Sequence, residues 1–349
     1  MNSNPAAGIG TQLILWYTRS SKVKRATSWR MALGGTGQAE LESERMMGKD
    51  FSQIEWDERV EDDCRQIIRL AVREDLDRQY DWTSMALAGA DASGRAAVVA
   101  RGDGVLAGVR AGALVLDEME IDACWEPLVQ DGGAIVAGQT LVAFEGRIRD
   151  MLAAERLLLN MIGRLSGIAS WTARYVSAMG GAGARLYDTR KTTPGWRRLE
   201  KYAVRCGGGM NHRTGLFDAM LIKDNHLALA GLVPGEAVRR ARDFLAQLEW
   251  DGVRPDLIVE VEVDTLEQLD DVLSAEPDIV LLDNMTLEQL RRAVALRDAS
   301  RAGVQLEASG GITLETIRAI AETGVERISV GALTHSATAL DVGLDWTRS

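Results

Sequence analysis

This sequence is short of the materials that several protein classes require. Its three cysteines, Cys64, Cys124 and Cys206, are scattered without metal-ligand spacing and cannot all pair. A thiolate metal site and a disulfide framework are thereby disfavoured, and a reducing compartment, the cytoplasm, is the expected setting. No apolar run approaches the roughly twenty residues of a membrane-spanning helix, so no membrane partner is expected. Positive charge is in deficit, with 40 Lys and Arg against 51 Asp and Glu and a net charge of -11. Nucleic acid, which demands a broad basic face, is therefore excluded as a partner. Acidic residues are in turn absent before Glu40.

What the chain does have is length and apolar content: 349 residues, 46% of them hydrophobic, suffice for two soluble domains with separate cores. Residues 1–52 show no periodic apolar face. Three accounts of them stay open: a disordered extension, a start assigned too far upstream of Met46 or Met47, or an organellar transit peptide. Residues 53–180 read as an α+β domain with its connecting helix. An amphipathic helix begins at Asp57 with Val60, Ile67, Ile68, Ala71 and Val72 on its apolar side, and REDLDRQYDWTS follows as a loop. Runs 96–100 and 105–108, separated by Gly102-Asp103-Gly104, signal a hairpin, and AIVAGQTLVAFEG adds strand and turn. A helix over 148–179 joins the halves, its Gly163 and Gly167 admitting another backbone closely. Residues 181–349 alternate short apolar strands (184–187, 219–222, 257–263, 278–282, 304–307 and 327–330) with amphipathic helices, which implies parallel pairing through right-handed crossovers. Six clear strands fall short of the eight of a complete barrel, and the residues at the end of this half read as a C-terminal tail.

The scarce positive charge is concentrated. Between residues 185 and 226, nine Lys or Arg stand against four Asp or Glu, and two of the three histidines lie there. In a parallel barrel the residues just after each strand converge. Here they are Arg190 and Lys191, Lys223, Glu260 or Glu262, Asp283, Ser309-Gly310-Gly311, and Gly331-Ala332. Cations and glycine-rich amides bind anions, and acids among them suit sugar hydroxyls or a divalent metal. Ser309-Gly310-Gly311 and Gly331-Ala332 follow the last two strands, where barrels frequently hold a phosphate, with His335 either a further donor or a capping residue. Gly207-Gly208-Gly209 would let backbone approach a ligand beside His212 and Arg213. Glu260 and Glu262 lie on one face of their strand and stay interchangeable at this point. Cys206 has no activating partner beside it to make it a nucleophile. A Schiff-base aldolase built on Lys191 or Lys223 explains neither so many cations nor the acids, and a non-catalytic nucleotide binder has no need of Glu262 and Asp283.

DTRKTTPG, KYAVRCGGGMNHR and LIKDNH, with AERLLLNMIGRLSGIA before them and EVEVDTLEQL, VLLDN, LEASGGIT and VGALTHS after, resemble the quinolinate phosphoribosyltransferases of NAD biosynthesis. The resemblance runs from about residue 55 to the C-terminus. It implies an irregular, partly open α/β barrel of six or seven parallel strands behind an N-terminal α+β domain. It also implies the substrates quinolinate and phosphoribosyl pyrophosphate, Mg2+ as cofactor, and a homodimer with shared active sites. Arg156, Arg190, His212 and Arg213 would hold the quinolinate carboxylates, Arg156 reaching in from the partner subunit. Lys191 and Lys223 would also face the pyrophosphate, and Glu262 and Asp283 would stand near the ribose and the metal. One departure is visible: the family's Gly-Asp-x-Thr is here Tyr80-Asp81-Trp82-Thr83, which leaves that loop's conformation open.

Overall fold

The structure, a computed structural model, describes residues 49–77, 79–248, 256–300 and 303–347. The expectations for residues 1–48 lie outside the described residues. Helix α1 (Glu58–Leu76) starts where Asp57 accepts the N–H groups of Arg59 and Val60, each at 3.0 Å, and it buries Val60, Cys64 and Ile68. The expected loop after it is mostly helix. α1 continues to Leu76, and α2 (Trp82–Leu87) is capped by Asp81 through the N–H groups of Thr83 and Ser84. Capping chemistry in the Asp-Trp-Thr-Ser run outweighed its loop-like composition. Tyr80 is not among the residues of positive φ, so nothing in its backbone requires the family's glycine.

Next come β1 (Ser93–Ala100), β2 (Gly104–Val105), α3 (Val109–Glu118), β3 (Ala123–Pro127), β4 (Ala134–Ile135) and β5 (Thr140–Arg147). The expected hairpin does not form: β1 pairs with β5, whereas β2 pairs with β4. The chain bends at Arg101 and Gly102 and Gly104 already belongs to β2, and a bend does not dictate the partner of the strand leaving it. Helix α4 (Ile148–Ala178) runs 31 residues, about 46 Å at 1.5 Å per residue, and buries Leu157, Leu158, Met161, Leu165 and Ile168. Gly163 and Gly167 admit another backbone as expected: the carbonyls of Leu340 and Thr338 lie where their Cβ atoms would be, and Leu340 N–H donates to Gly163 at 2.8 Å.

Beyond α4 the order is β6 (Arg185–Tyr187), α5 (Arg197–Cys206), β7 (Ala219–Ile222), α6 (Asp224–Ala230), α7 (Pro234–Gln247), β8 (Ile258–Val263), α8 (Leu266–Leu273), β9 (Ile279–Asp283), α9 (Leu287–Ser300), β10 (Gln305–Ser309), α10 (Ile317–Ala321), β11 (Arg327–Ser329), α11 (Ala332–His335) and β12 (Val342–Trp346). Six of these strands form one parallel sheet, ordered β6-β11-β10-β9-β8-β7. Its edges β6 and β7 are not paired with each other, and Met210 adds a single parallel bridge to Tyr187 outside β6. The barrel is accordingly irregular and partly open, with a seventh strand reduced to one bridge. β12 leaves the barrel half and pairs antiparallel with β1, completing the sheet β12-β1-β5-β3. The residues expected to be a C-terminal tail thus belong to the first sheet.

Parallel strands covered on one face only would alternate, and these do. Val259, Val261 and Val263 of β8 pack into the main apolar core, as do Val280 and Leu282 of β9 and Leu306 and Ala308 of β10. The opposite faces turn Glu260, Glu262, Asp283, Glu307, Ser309 and Arg327 into the barrel. At the barrel's lower end sit residues of the presumed extension: Phe51 is 6% exposed and packs with Tyr187, Ala219, Ile258 and Ile279. Residues 49–52 therefore belong to the body. Their polar composition hid the one aromatic that anchors them.

Candidate active site

At the C-terminal ends of the six parallel strands lies a cavity of about 810 Å³. Arg190 and Lys191 reach it from the loop after β6, His212 and Arg213 from the segment after α5, and Lys223 from the end of β7. Glu262 of β8 and Asp283 of β9 face it, as do Ser309, Gly310 and Gly311 after β10 and Gly331, Ala332 and His335 after β11. Shared strand direction makes these loops converge, and the two-residue period of each strand aims the side chains inward. Glu260 shares a face with Glu262 but sits one pair deeper, fully buried beside His212 and outside the cavity lining.

Arg156 is not at this cavity. It is exposed on α4 and makes no ion pair among the described residues. The glycines 207–209 are not there either. A Cβ on Gly207 would strike Ala169 O and Thr172 of α4, and one on Gly209 would strike Val204 and Thr172. They let the chain pass close to the long helix on its way to His212, so the close approach expected toward a ligand is made to a helix.

Three of the cations facing the cavity lack carboxylate partners among the described residues. Among the described residues neither Arg190 nor Lys191 nor Arg213 makes an ion pair, and Arg190 Nε is buried without a hydrogen-bond acceptor. Burial, and then the charge of Arg190, pushes the guanidinium of Arg213 below its usual range; the same two causes act on neighbouring Arg197. Mutually repelling guanidiniums held together in this way favour an anion between them. Lys223 differs, because its Nζ contacts Glu262. No backbone bond engages the N–H of Gly310 or Gly311 among the described residues, and these positions have φ of 96° and 59°, so a row of free amides opens toward the cavity.

His212 is clamped. Its backbone N–H donates to Asp188 at 2.9 Å and its carbonyl accepts from Lys201 Nζ at 2.8 Å, while Asp188 and Lys201 form a fully buried ion pair beneath it. Its Nε2 lies 3.1 Å from Glu260 and 3.4 Å from Glu307. Burial opposes charge on the ring, but Glu260 and then Glu307 outweigh it and raise the pKa to about 9. Nδ1 meanwhile accepts the Arg213 N–H at 2.8 Å, a bond the imidazolium would give up. The Nε2–H tautomer satisfies both sides, donating to the carboxylates while Nδ1 accepts, and the two buried carboxylates favour adding the second proton. The loop carrying Arg190 and Lys191 is fixed from behind. Arg164 of α4 donates to Glu200 at 2.6 Å and to the Thr334 carbonyl at 2.7 Å, Glu200 accepts from Thr193, and Thr334 Oγ1 donates to the Lys191 carbonyl at 2.8 Å.

Sequence reasoning missed several contributors. Thr189, Asn284 and Glu307 also line the cavity. Glu307 could have been found by the alternation already applied to β8, since it lies two residues before Ser309 on its strand. For a metal, Glu262 and Asp283 offer hard oxygen donors from adjacent strands at the cavity wall, which suits Mg2+ completing its shell with water and substrate phosphate. The described residues contain a tighter trio, His212, Glu260 and Glu307, with ligand atoms within 4.8 Å of one another, but Glu307 already accepts from Arg327 at 2.9 Å there.

A barrel mouth that brings together unpaired cations, free amides and carboxylates defines a class, the phosphate-binding α/β-barrel proteins that take small polyanions. Within it, the chain belongs to the quinolinate phosphoribosyl transferase family. It matches the family's C-terminal domain over residues 168–345 and its N-terminal domain over residues 81–166. It is 46% identical over 286 residues to the nicotinate-nucleotide pyrophosphorylase (carboxylating) of Mycobacterium leprae, covering 81% of this chain and 97% of that protein. The probable Bacillus subtilis enzyme of the same name is 40% identical over 77% of this chain and 89% of its own length. The fold superposes on the nicotinate-nucleotide pyrophosphorylase structure from Francisella tularensis with a TM-score of 0.77 and 36% identity, covering 85% of this chain and all of that one.

Proposed function

We propose that the protein transfers the phosphoribosyl group of phosphoribosyl pyrophosphate to quinolinate and releases carbon dioxide, giving nicotinate mononucleotide and pyrophosphate in NAD biosynthesis. The observation that carries this reading is the trio of unpaired cations, Arg190, Lys191 and Arg213, facing one cavity with the carboxylates Glu262 and Asp283. Arg190, Arg213 and His212 hold the two carboxylates of quinolinate and so aim its ring nitrogen at the anomeric carbon. The N–C1′ bond forms as the bond to pyrophosphate breaks. Positive charge then grows on the ribose, which Glu262 and Asp283 face, and negative charge grows on the pyrophosphate, which Lys191 and Lys223 face. The free amides of Gly310 and Gly311 and the Gly331-Ala332 turn take the 5′-phosphate, with His335 beside it. Mg2+ held at Glu262 and Asp283 would supply charge neutralisation of the pyrophosphate oxygens. Once the nitrogen is alkylated, the electron pair of the adjacent carbon–carboxylate bond can remain on the ring carbon next to the pyridinium, and a solvent proton replaces the lost carbon dioxide. Pyrophosphate release with quinolinate but not with nicotinate is the expected result; equal turnover of both would overturn the substrate assignment.

The assembly belongs to the same proposal. Arg156, exposed and away from its own cavity, contributes to the site of a second copy in a homodimer with shared active sites. Mixing inactive Arg156→Ala chains with inactive Lys191→Ala chains should restore about a quarter of the activity, from random pairing that leaves one intact site per mixed dimer. No recovery after demonstrated subunit exchange would mean each chain builds its site alone. The three free cysteines support a cytoplasmic location, and among the described residues no helix is long and apolar enough to cross a membrane.

A further inference from the structure

The far end of the barrel is closed by the chain's own residues 49–53. Asp50 accepts from Arg185 Nη1 at 2.8 Å, Tyr187 Oη at 2.8 Å and Arg327 Nη1 at 2.9 Å. Gln53 Nε2 donates to the Asn211 carbonyl at 3.2 Å, and Asn211 N–H donates to Gln53 Oε1 at 2.7 Å. Phe51 enters the barrel between these anchors. Its ring centroid lies 4.2 Å from that of His212 at an interplanar angle of 30°, and the Arg327 guanidinium carbon stands 5.0 Å from the Phe51 centroid. Above the plug the buried charges alternate. Asp50 meets Arg327, Arg327 Nε donates to Glu307 Oε2 at 2.9 Å, and Glu307 Oε1 and Glu260 Oε2 both face His212 Nε2 without another hydrogen-bond partner among the described residues. A column of charge thus runs from the plug to the floor of the cavity, with His212 at its top.

We propose that Phe51 and Glu307 are positioning residues for His212, and that the plug at residues 49–53 thereby sets the affinity for the pyridine dicarboxylate from the opposite end of the barrel. Phe51 holds the face of the imidazole, Glu307 together with Glu260 its Nε2 edge and the Arg213 N–H its Nδ1, while the Asp188–Lys201 pair holds only the backbone. A ring that lost either Phe51 or Glu307 would be held at fewer points and would sample orientations away from the substrate carboxylate although the fold persisted. The phosphoribosyl half of the site has no contact with the plug, so its affinity should not follow. This rests on the reading of His212 as a quinolinate contact, and the controls separate the two.

The test is steady-state kinetics on the full chain, with each substrate varied in turn. His212→Asn must raise KM for quinolinate; if it does not, the reading of His212 fails and not the plug. Given that rise, Phe51→Ala and Glu307→Gln should each raise KM for quinolinate about tenfold and leave KM for phosphoribosyl pyrophosphate within about twofold, the scale of one lost aromatic contact and its orientation. Phe51→Leu, which keeps the volume without the aromatic plane, replaces Phe51→Ala if the latter fails to fold, with the same selective rise required. With three histidines in the chain, the His212 ring signal is identified in carbon–proton spectra by its loss in His212→Asn. It should move in Phe51→Ala or Phe51→Leu, and in Glu307→Gln, while the other two signals stay. Equal changes in both KM values, an unchanged KM for quinolinate, or an unmoved His212 signal would overturn the proposal.

Discussion

Two buried regions of this molecule, the surroundings of the long helix α4 and the inside of the barrel, are built on opposite rules. Around α4 the core is apolar, with Leu158, Met161, Ile162, Leu165 and Ile168 all at 1% exposure or less. Inside the barrel the equally buried Arg327, Glu307, Glu260, Asp188 and Lys201 are charged. Removing apolar surface from water stabilises the fold without direction, whereas buried ion pairs rarely yield net stability and instead fix geometry. The difference divides the work: the first region holds the chain folded, and the second holds His212 in place at the cavity floor.

Four experiments would break or sharpen that division. The largest effect is expected from Arg190→Ala, which removes an unpaired charge from the cavity: kcat/KM for quinolinate should fall about a hundredfold or more, with the melting temperature nearly unchanged. Unchanged affinity for quinolinate would end the assignment of Arg190. Leu158→Ala should do the reverse, lowering stability by about 2–5 kcal/mol in denaturant unfolding while both KM values hold. A third test uses pH. His212 has a folded-state pKa of about 9, above the roughly 6.5 of an unfolded chain. The stability it contributes is therefore full below about pH 6.5 and is lost as pH rises through about 9. Glu260 and Glu307 supply that shift, against burial and beside the charges of Arg213 and Arg327, so KM for quinolinate should climb above pH 9 while the loss caused by Leu158→Ala stays independent of pH. A flat pH profile for quinolinate would mean the ring is neutral, as its bond from the Arg213 N–H requires. The smallest effect is expected from deleting residues 1–45, which should leave melting temperature and turnover nearly intact; a marked loss of either would show that the deleted stretch docks on the body.

Much of this arrangement could be read from the sequence, and the exceptions have physical reasons. In I-V-E-V-E-V the two-residue period already sends the acids one way and the valines the other, and strand direction alone brings Arg190, Lys223, Glu262, Asp283, Ser309 and Gly331 to one end. Glu260 and Glu262 could not be ranked from pattern, because depth along a barrel axis depends on the register between strands and periodicity carries no register. Gly207–Gly209 were misassigned for a related reason: a glycine run reports that something comes close, but not what. The chain does bend at Gly102, but the pairing of β1 with β5 and β12 depended on segments far along the chain. Phe51 is a single aromatic in a polar stretch and generates no periodic signal, although its ring touches His212. Arg156 is legible only through the family, since nothing local distinguishes it from a solvated helix residue.

The pairing of β1 with β12 also orders events in time. Ala96 lies opposite Trp346, so the first sheet of the chain lacks an outer strand until the residues that follow the whole barrel have been made. Through synthesis, β1 would present an unpaired edge, the kind of surface on which chains associate wrongly. Contacts so distant in sequence also close slowly, because the whole barrel must form or collapse between them before they can be made. The backbone at 338–340, seated against Gly163 and Gly167, directs the returning strand to its place. Side chains at those two positions would keep that backbone from seating, so two glycines of the long helix also govern whether β12 can reach β1.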